Sequence, residues 1–130
     1  MQPPTAPEFD LTLMLDVIEH FTVDDAIAVC DRVLDISKVL LVSTPARFFA
    51  QDATNGFEKH RSWWPTAALR KLGDSLRAKT HAVELEHTAY AAFSRQQRVR
   101  LDYDPPAKAL ARTIRNRIRP ARDAAPTMLC

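Results

Sequence analysis

The chain has 130 residues, 46% of them hydrophobic and 26% charged, with a net charge of +2. That is material for one domain with one modest core. Only two glycines are present, Gly56 and Gly73, which excludes collagen-like architectures and a nucleotide cradle of the G-x-G-x-x-G or G-x-x-x-x-G-K type. Cys30 and Cys130 offer no zinc spacing and no disulfide framework. The first residues have neither a basic nor an apolar region of the kind a signal peptide needs. No apolar run approaches the roughly 18 residues of a membrane span. The expectation is a cytoplasmic protein.

Residues 8–16 form a short apolar run in which both parities are apolar, which predicts a strand covered on both faces. Thr22 or Asp24 can cap the helix that follows, whose 3.6-period face is Ala26, Ile27, Cys30, Val33 and Leu34. Residues 38–44 predict a second buried strand, stopped by Pro45. Strand, helix, strand at this spacing makes a crossover with parallel strands. Residues 46–64 lack periodicity and read as a long surface loop, a length that in compact domains is usually functional or disordered. Pro65 opens a short helix that Gly73 is expected to close. Residues 78–85 and 89–94 predict two more strands around a tight connection at His87 and Thr88. Pro105 and Pro106 start a last helix to about Arg119, with the apolar stripe Ala107, Leu110, Ala111, Ile114 and Ile118.

Charge divides the chain. Residues 1–94 carry nine basic side chains against thirteen acidic ones, and residues 95–130 carry nine against three. The division predicts a body over 1–94 and a basic tail with an amphipathic helix over 95–130. The tail's helix can contact phosphates or an anionic membrane through Lys108, Arg112, Arg115 and Arg119. It can equally dock its stripe on the body and leave the arginines in water.

The run Phe9-Asp10-Leu11-Thr12-Leu13-Met14-Leu15-Asp16-Val17-Ile18-Glu19-His20-Phe21 resembles the fourth-strand motif of class I S-adenosylmethionine-dependent methyltransferases. Lys38 to Pro45, ending Ser43-Thr44-Pro45, resembles the fifth strand. Asn55-Gly56-Phe57-Glu58-Lys59-His60-Arg61-Ser62-Trp63-Trp64 is similar to an N-x-x-E-x-H-x-S-x-W loop in a subset that acts on small molecules. The resemblance spans residues 8–94. It implies an α/β fold: a partial Rossmann-like methyltransferase sheet, strands four to seven, with flanking helices, here followed by the added basic helix.

That family holds S-adenosylmethionine chiefly through a glycine-rich loop after its first strand and an acid ending its second. Neither has a counterpart in this sequence. The resemblance therefore implies the acceptor-side half of a small-molecule methyltransferase, truncated or mis-started, and neither active nor binding the cofactor alone. It implies Asp16, Val17 and Glu19 as cofactor-pocket residues and His20 and His60 as catalytic ones. An imidazole can take a proton near neutral pH, which makes His20 the candidate base.

Each residue also has a structural role open to it. Asp16 can cap a helix entry, His20 can bond into the neighbouring loop, and Trp63 and Trp64 can anchor the loop to the core. Asp16, Glu19, His20 and His60 further imitate the E-x-x-E-H plus distal His pattern with which small-RNA 3′-end 2′-O-methyltransferases hold a divalent cation. The loop around His60 does not otherwise follow that family, and the site reading adopted contains no metal.

Two further expectations concern partners. The methyl acceptor is a small molecule. The strand at 9–15 lacks one neighbour of the complete fold, so its free edge should recruit a second copy or another chain. The alternative function is a non-catalytic interaction module, or a membrane or nucleic-acid adaptor working through the tail.

Overall fold

A computed structural model describes residues 6–47 and 59–102. In chain order these form β1 (Phe9–Leu15), a 3-10 turn (Ile18–His20), α1 (Val23–Ile36), β2 (Ser37–Pro45), α2 (Thr66–Ser75), β3 (Lys79–Leu85) and β4 (Thr88–Ser94). The tail helix expected over 105–119 lies outside the described residues, as do residues 48–58 of the long loop.

The four strands form one sheet in the order β1-β2-β4-β3. The pair β1/β2 is parallel, with Leu13 opposite Leu41, whereas β2/β4 and β3/β4 are antiparallel. A parallel pair needs a crossover, and α1 supplies it. Thr22 caps that helix, its hydroxyl accepting from the Asp25 N–H at 3.2 Å. Ala26, Cys30 and Leu34 bring the helix's buried face onto the sheet.

Registered residues share a face, and successive residues alternate between faces. One face carries Met14, Leu40, Val42, Ala82, Ala91 and Phe93, which join Cys30 and Leu34 of α1 and Leu69 and Leu72 of α2 in a single core. Both helices therefore cover the same side of the sheet. On the other side, Phe9, Leu11, Leu13 and Leu15 of β1 are each 50–54% exposed. The expectation of a first strand covered on both faces is thus corrected. Among the described residues only the even-numbered side of β1 is packed, and the strand lies at the sheet's edge.

Gly73 also departs from its expected role. It does not end the helix, which runs on to Ser75. A Cβ at Gly73 would lie 1.8 Å from the Thr80 hydroxyl oxygen. The glycine is there because α2 presses directly onto β3, a packing constraint that looks like a helix stop in the sequence.

Contacts with these elements continue past β4. Arg95 donates from Nε to the Leu76 carbonyl at 3.0 Å and pairs with both Asp31 and Asp35 of α1. The Leu101 N–H then donates to His81 Nδ1 at 3.0 Å.

Candidate active site

The chain leaves the carboxyl end of β1 through Asp16, which takes a left-handed backbone conformation at φ 52°. Aspartate tolerates that conformation better than most residues. Its N–H donates to the Ser43 carbonyl at 2.9 Å and lies 3.2 Å from Ser43 Oγ. This turn throws Val17 outward and starts the Ile18–His20 turn over the strand ends. Ile18 is fully buried, and Glu19 follows it inward at 3% exposure.

Glu19 is a carboxylate drawn into the protein. Its Oε2 accepts from the Thr44 hydroxyl at 3.1 Å, and its Oε1 lies 3.9 Å from His20 Nε2. Its carbonyl accepts two N–H groups from the returning loop, Arg61 at 2.7 Å and Ser62 at 3.1 Å. Those bonds lay residues 60–64 against the turn.

Ser62 locks this arrangement. Its hydroxyl reaches the carbonyls of Phe21 at 2.8 Å and Ile18 at 3.3 Å, and it accepts from Trp64 Nε1 at 2.6 Å. Trp64 is buried in the core, and Trp63 donates to the Ala46 carbonyl at 2.9 Å. The two tryptophans anchor the loop, the structural role the sequence left open for them.

The consequence is the placement of His60. Its ring meets that of His20 edge to face, centroids 5.0 Å apart. One ligating atom each from Glu19, His20 and His60 lie within 4.8 Å of one another. Asp16 is outside this triad but lines the same cleft of about 460 Å³, with Glu19, His20, Pro45, His60, His87 and Thr88. A second cleft of about 370 Å³ on the far side of His20 is lined by Asp16, Val17, Phe21, Thr22, Asp25 and Arg61. The expected cofactor residues Asp16 and Val17 border this second cleft, whereas Glu19 borders only the first. Asp16 caps no helix: the Ile18–His20 turn has Val17 at its N-cap and no side-chain cap, and Thr22 caps α1.

The donor set suits a divalent ion. Two imidazoles and one carboxylate are a combination that first-row divalent metals accept. His20 Nδ1 is buried and has no hydrogen-bond partner among the described residues, and buried polar atoms without partners are rare. Thr44 holds the carboxylate from behind, as groups outside a metal's own ligands commonly do.

Three contributors escaped the sequence reading. Thr44 carries no signal beyond its place at the end of a strand. Ser62 stands in a recognisable loop pattern, but its bonds to two carbonyls emerge only when the loop returns over Ile18. His87 reaches the cleft because the β3/β4 register puts that turn beside Pro45, where the Ala46 N–H donates to the His87 carbonyl at 2.8 Å.

No family model and no curated protein matches the chain. Solved structures do. The small RNA methyltransferase HEN1 aligns at a TM-score of 0.53 and 22% identity, over 76% of this chain and 15% of that one. The Pnkp1/Rnl/Hen1 RNA repair complex aligns at 0.50 and 14%, over 71% and 24%. The fold is a methyltransferase fold. Magnesium protoporphyrin IX methyltransferase from Synechocystis, solved with bound SAH, gives 0.48 and 14%, over 72% and 48%. The chain spans less than half the length of each of these three proteins. At these identities the likeness is one of fold, and it agrees with the partial Rossmann-like sheet that the resemblance implied.

Proposed function

We propose that this chain forms the acceptor side of a class I S-adenosylmethionine-dependent methyltransferase, with Glu19, His20 and His60 holding a divalent cation beside the methyl acceptor. The observation that carries this reading is the convergence of those three donors at the carboxyl end of the parallel pair, where open α/β sheets bind ligands. A bound divalent ion would act as a Lewis acid on an acceptor hydroxyl and help orient it.

The protein's own contribution is positioning. Methyl transfer is an in-line displacement that gains most from alignment of donor and acceptor. Thr44 fixes the Glu19 carboxylate, and Ser62 and Trp64 fix the backbone that delivers His60. The cleft between Asp16, His20 and His87 is the place for the acceptor, and the Asp16–Val17 side is the wall toward the cofactor. The acceptor expected from the loop motif is a small molecule, whereas two of the solved structures of like fold are an RNA methyltransferase and an RNA repair complex.

A second reading keeps His20 as general base without a cation. The 28% exposure of its side chain in the cleft favours access to an acceptor proton. The two readings part on one experiment. Calorimetric titration with Mn²⁺ should give one site in the unaltered chain, weakened at least tenfold in both His60→Ala and Glu19→Gln. Equal Mn²⁺ binding in all three proteins, or none in any, would leave the general-base reading. The adaptor alternative draws no support from the solved structures of like fold.

A further inference from the structure

The side of the sheet left open by α1 and α2 is apolar, and the chain itself starts to cover it. Val83 and Leu85 of β3, Tyr90 of β4 and Leu41 of β2 line a cleft of about 250 Å³ together with Arg100, Leu101 and Asp102. The Leu101 N–H is bonded to His81 on this same face. Residues 100–102 therefore lie on the open face, against side chains of β3, β4 and β2. Beyond that cleft lies β1, whose Phe9, Leu11, Leu13 and Leu15 present a half-exposed apolar row.

We propose that the segment 107–119 of this chain docks its stripe, Ala107, Leu110, Ala111, Ile114 and Ile118, on this open face and covers the β1 row. Its length fits. Thirteen residues in helical form span about 20 Å, and four strands measure about 14 Å across from first to last. Its starting point fits as well, because Asp102 already lies against the face only five residues upstream of Ala107. Pro105 and Pro106 intervene and suit the entry to a helix. Charge favours the contact too. Residues 1–94 carry a net −4, and residues 95–130 a net +6. With the stripe facing the sheet, Lys108, Arg112, Arg115 and Arg119 fall on one flank of the helix and remain in water. An apolar row of this kind is otherwise a surface for aggregation. The segment that carries the chain's greatest positive charge would thus act as the body's own cover.

The test uses the full chain carrying Cys130→Ser and Asn116→Cys, with a nitroxide attached to the new cysteine on the side of the segment opposite the stripe. Cys30 is fully buried and escapes labelling. In a ¹⁵N-labelled sample, the amide signals of Leu11, Leu13 and Leu41 should be strongly broadened. Those of Ala28 and Arg32, on the exposed side of α1 beyond the opposite face, should persist. Adding Leu110→Asp and Ile114→Asp should restore the lost signals. Unbroadened β1 signals would overturn the proposal. So would broadening that arises between spin-labelled and ¹⁵N-labelled molecules in a mixed sample, since the cover would then come from a second copy. Broadening that survives the two aspartates would show that the stripe does not direct the contact, and would also overturn it.

Discussion

Replacing Ser62 by alanine removes one oxygen and disturbs three partners. The buried Trp64 Nε1–H loses its acceptor at 2.6 Å, and the carbonyls of Phe21 and Ile18 lose their shared donor. An orphaned buried donor costs about 1–3 kcal/mol, and the hydroxyl's own hydrogen bond contributes about 1 kcal/mol net. The expected destabilisation is therefore about 2–4 kcal/mol. For a chain of this size, 1 kcal/mol moves Tm by about 4 °C, so thermal unfolding followed by circular dichroism should shift down by about 8–16 °C. The loss should be tied to Trp64. In a double-mutant cycle with Trp64→Phe, the combined effect should fall short of the sum by at least 0.5 kcal/mol, since both changes break the same bond. Additive effects, or a Ser62→Ala shift of under about 2 °C, would refute the claim that this hydroxyl fastens the loop.

Gly73→Ala sets a gain in helix propensity of about 1 kcal/mol against a Cβ only 1.8 Å from Thr80 Oγ1. Overpacking of about 1–3 kcal/mol should prevail, and Gly73→Ala with Thr80→Ala should recover most of the loss in urea denaturation. Burial pushes the Cys30 thiol up to about 11 from its ordinary 9.0. The folded chain therefore holds that proton more tightly than the unfolded one, so this group's contribution to stability is intact below about pH 9. It is lost as pH climbs toward 11, a slope that Cys30→Ala should remove. Cys30 should also resist alkylation at pH 8 until the chain is unfolded. Calorimetry with S-adenosylmethionine should show no saturation below about 1 mM, because the sequence holds no glycine-rich motif of the kind that lets backbone approach such a cofactor. Low-micromolar binding would mean that the clefts around His20 form a cofactor site by themselves.

The strands and the two helices were legible because their apolar periods are local: Cys30 and Leu34 repeat on the helix, and residues 38–44 run unbroken. The resemblance around Asp16–His20 also named residues that fold together with His60. What stayed hidden depends on contacts distant in sequence. Gly73 read as a stop because a glycine's chain neighbours do not reveal that Thr80 will press on it. The outward row of β1 read as buried because apolar residues look alike whether or not a layer covers them. Thr44 and Ser62 became visible only through Glu19 and Phe21, 25 residues and 41 residues away respectively.

In the proposed function Glu19, His20 and His60 form one cation site. The chain has four histidines, His20, His60, His81 and His87, so their ring signals can be followed individually by NMR as Mn²⁺ is added. His81 serves as the internal reference, since its Nδ1 accepts the Leu101 N–H on the opposite face of the sheet. The His20 and His60 rings should broaden together at the lowest additions, while His81 stays sharp, and Glu19→Gln should suppress the effect. Broadening of all four rings alike, or of His20 without His60, would contradict it.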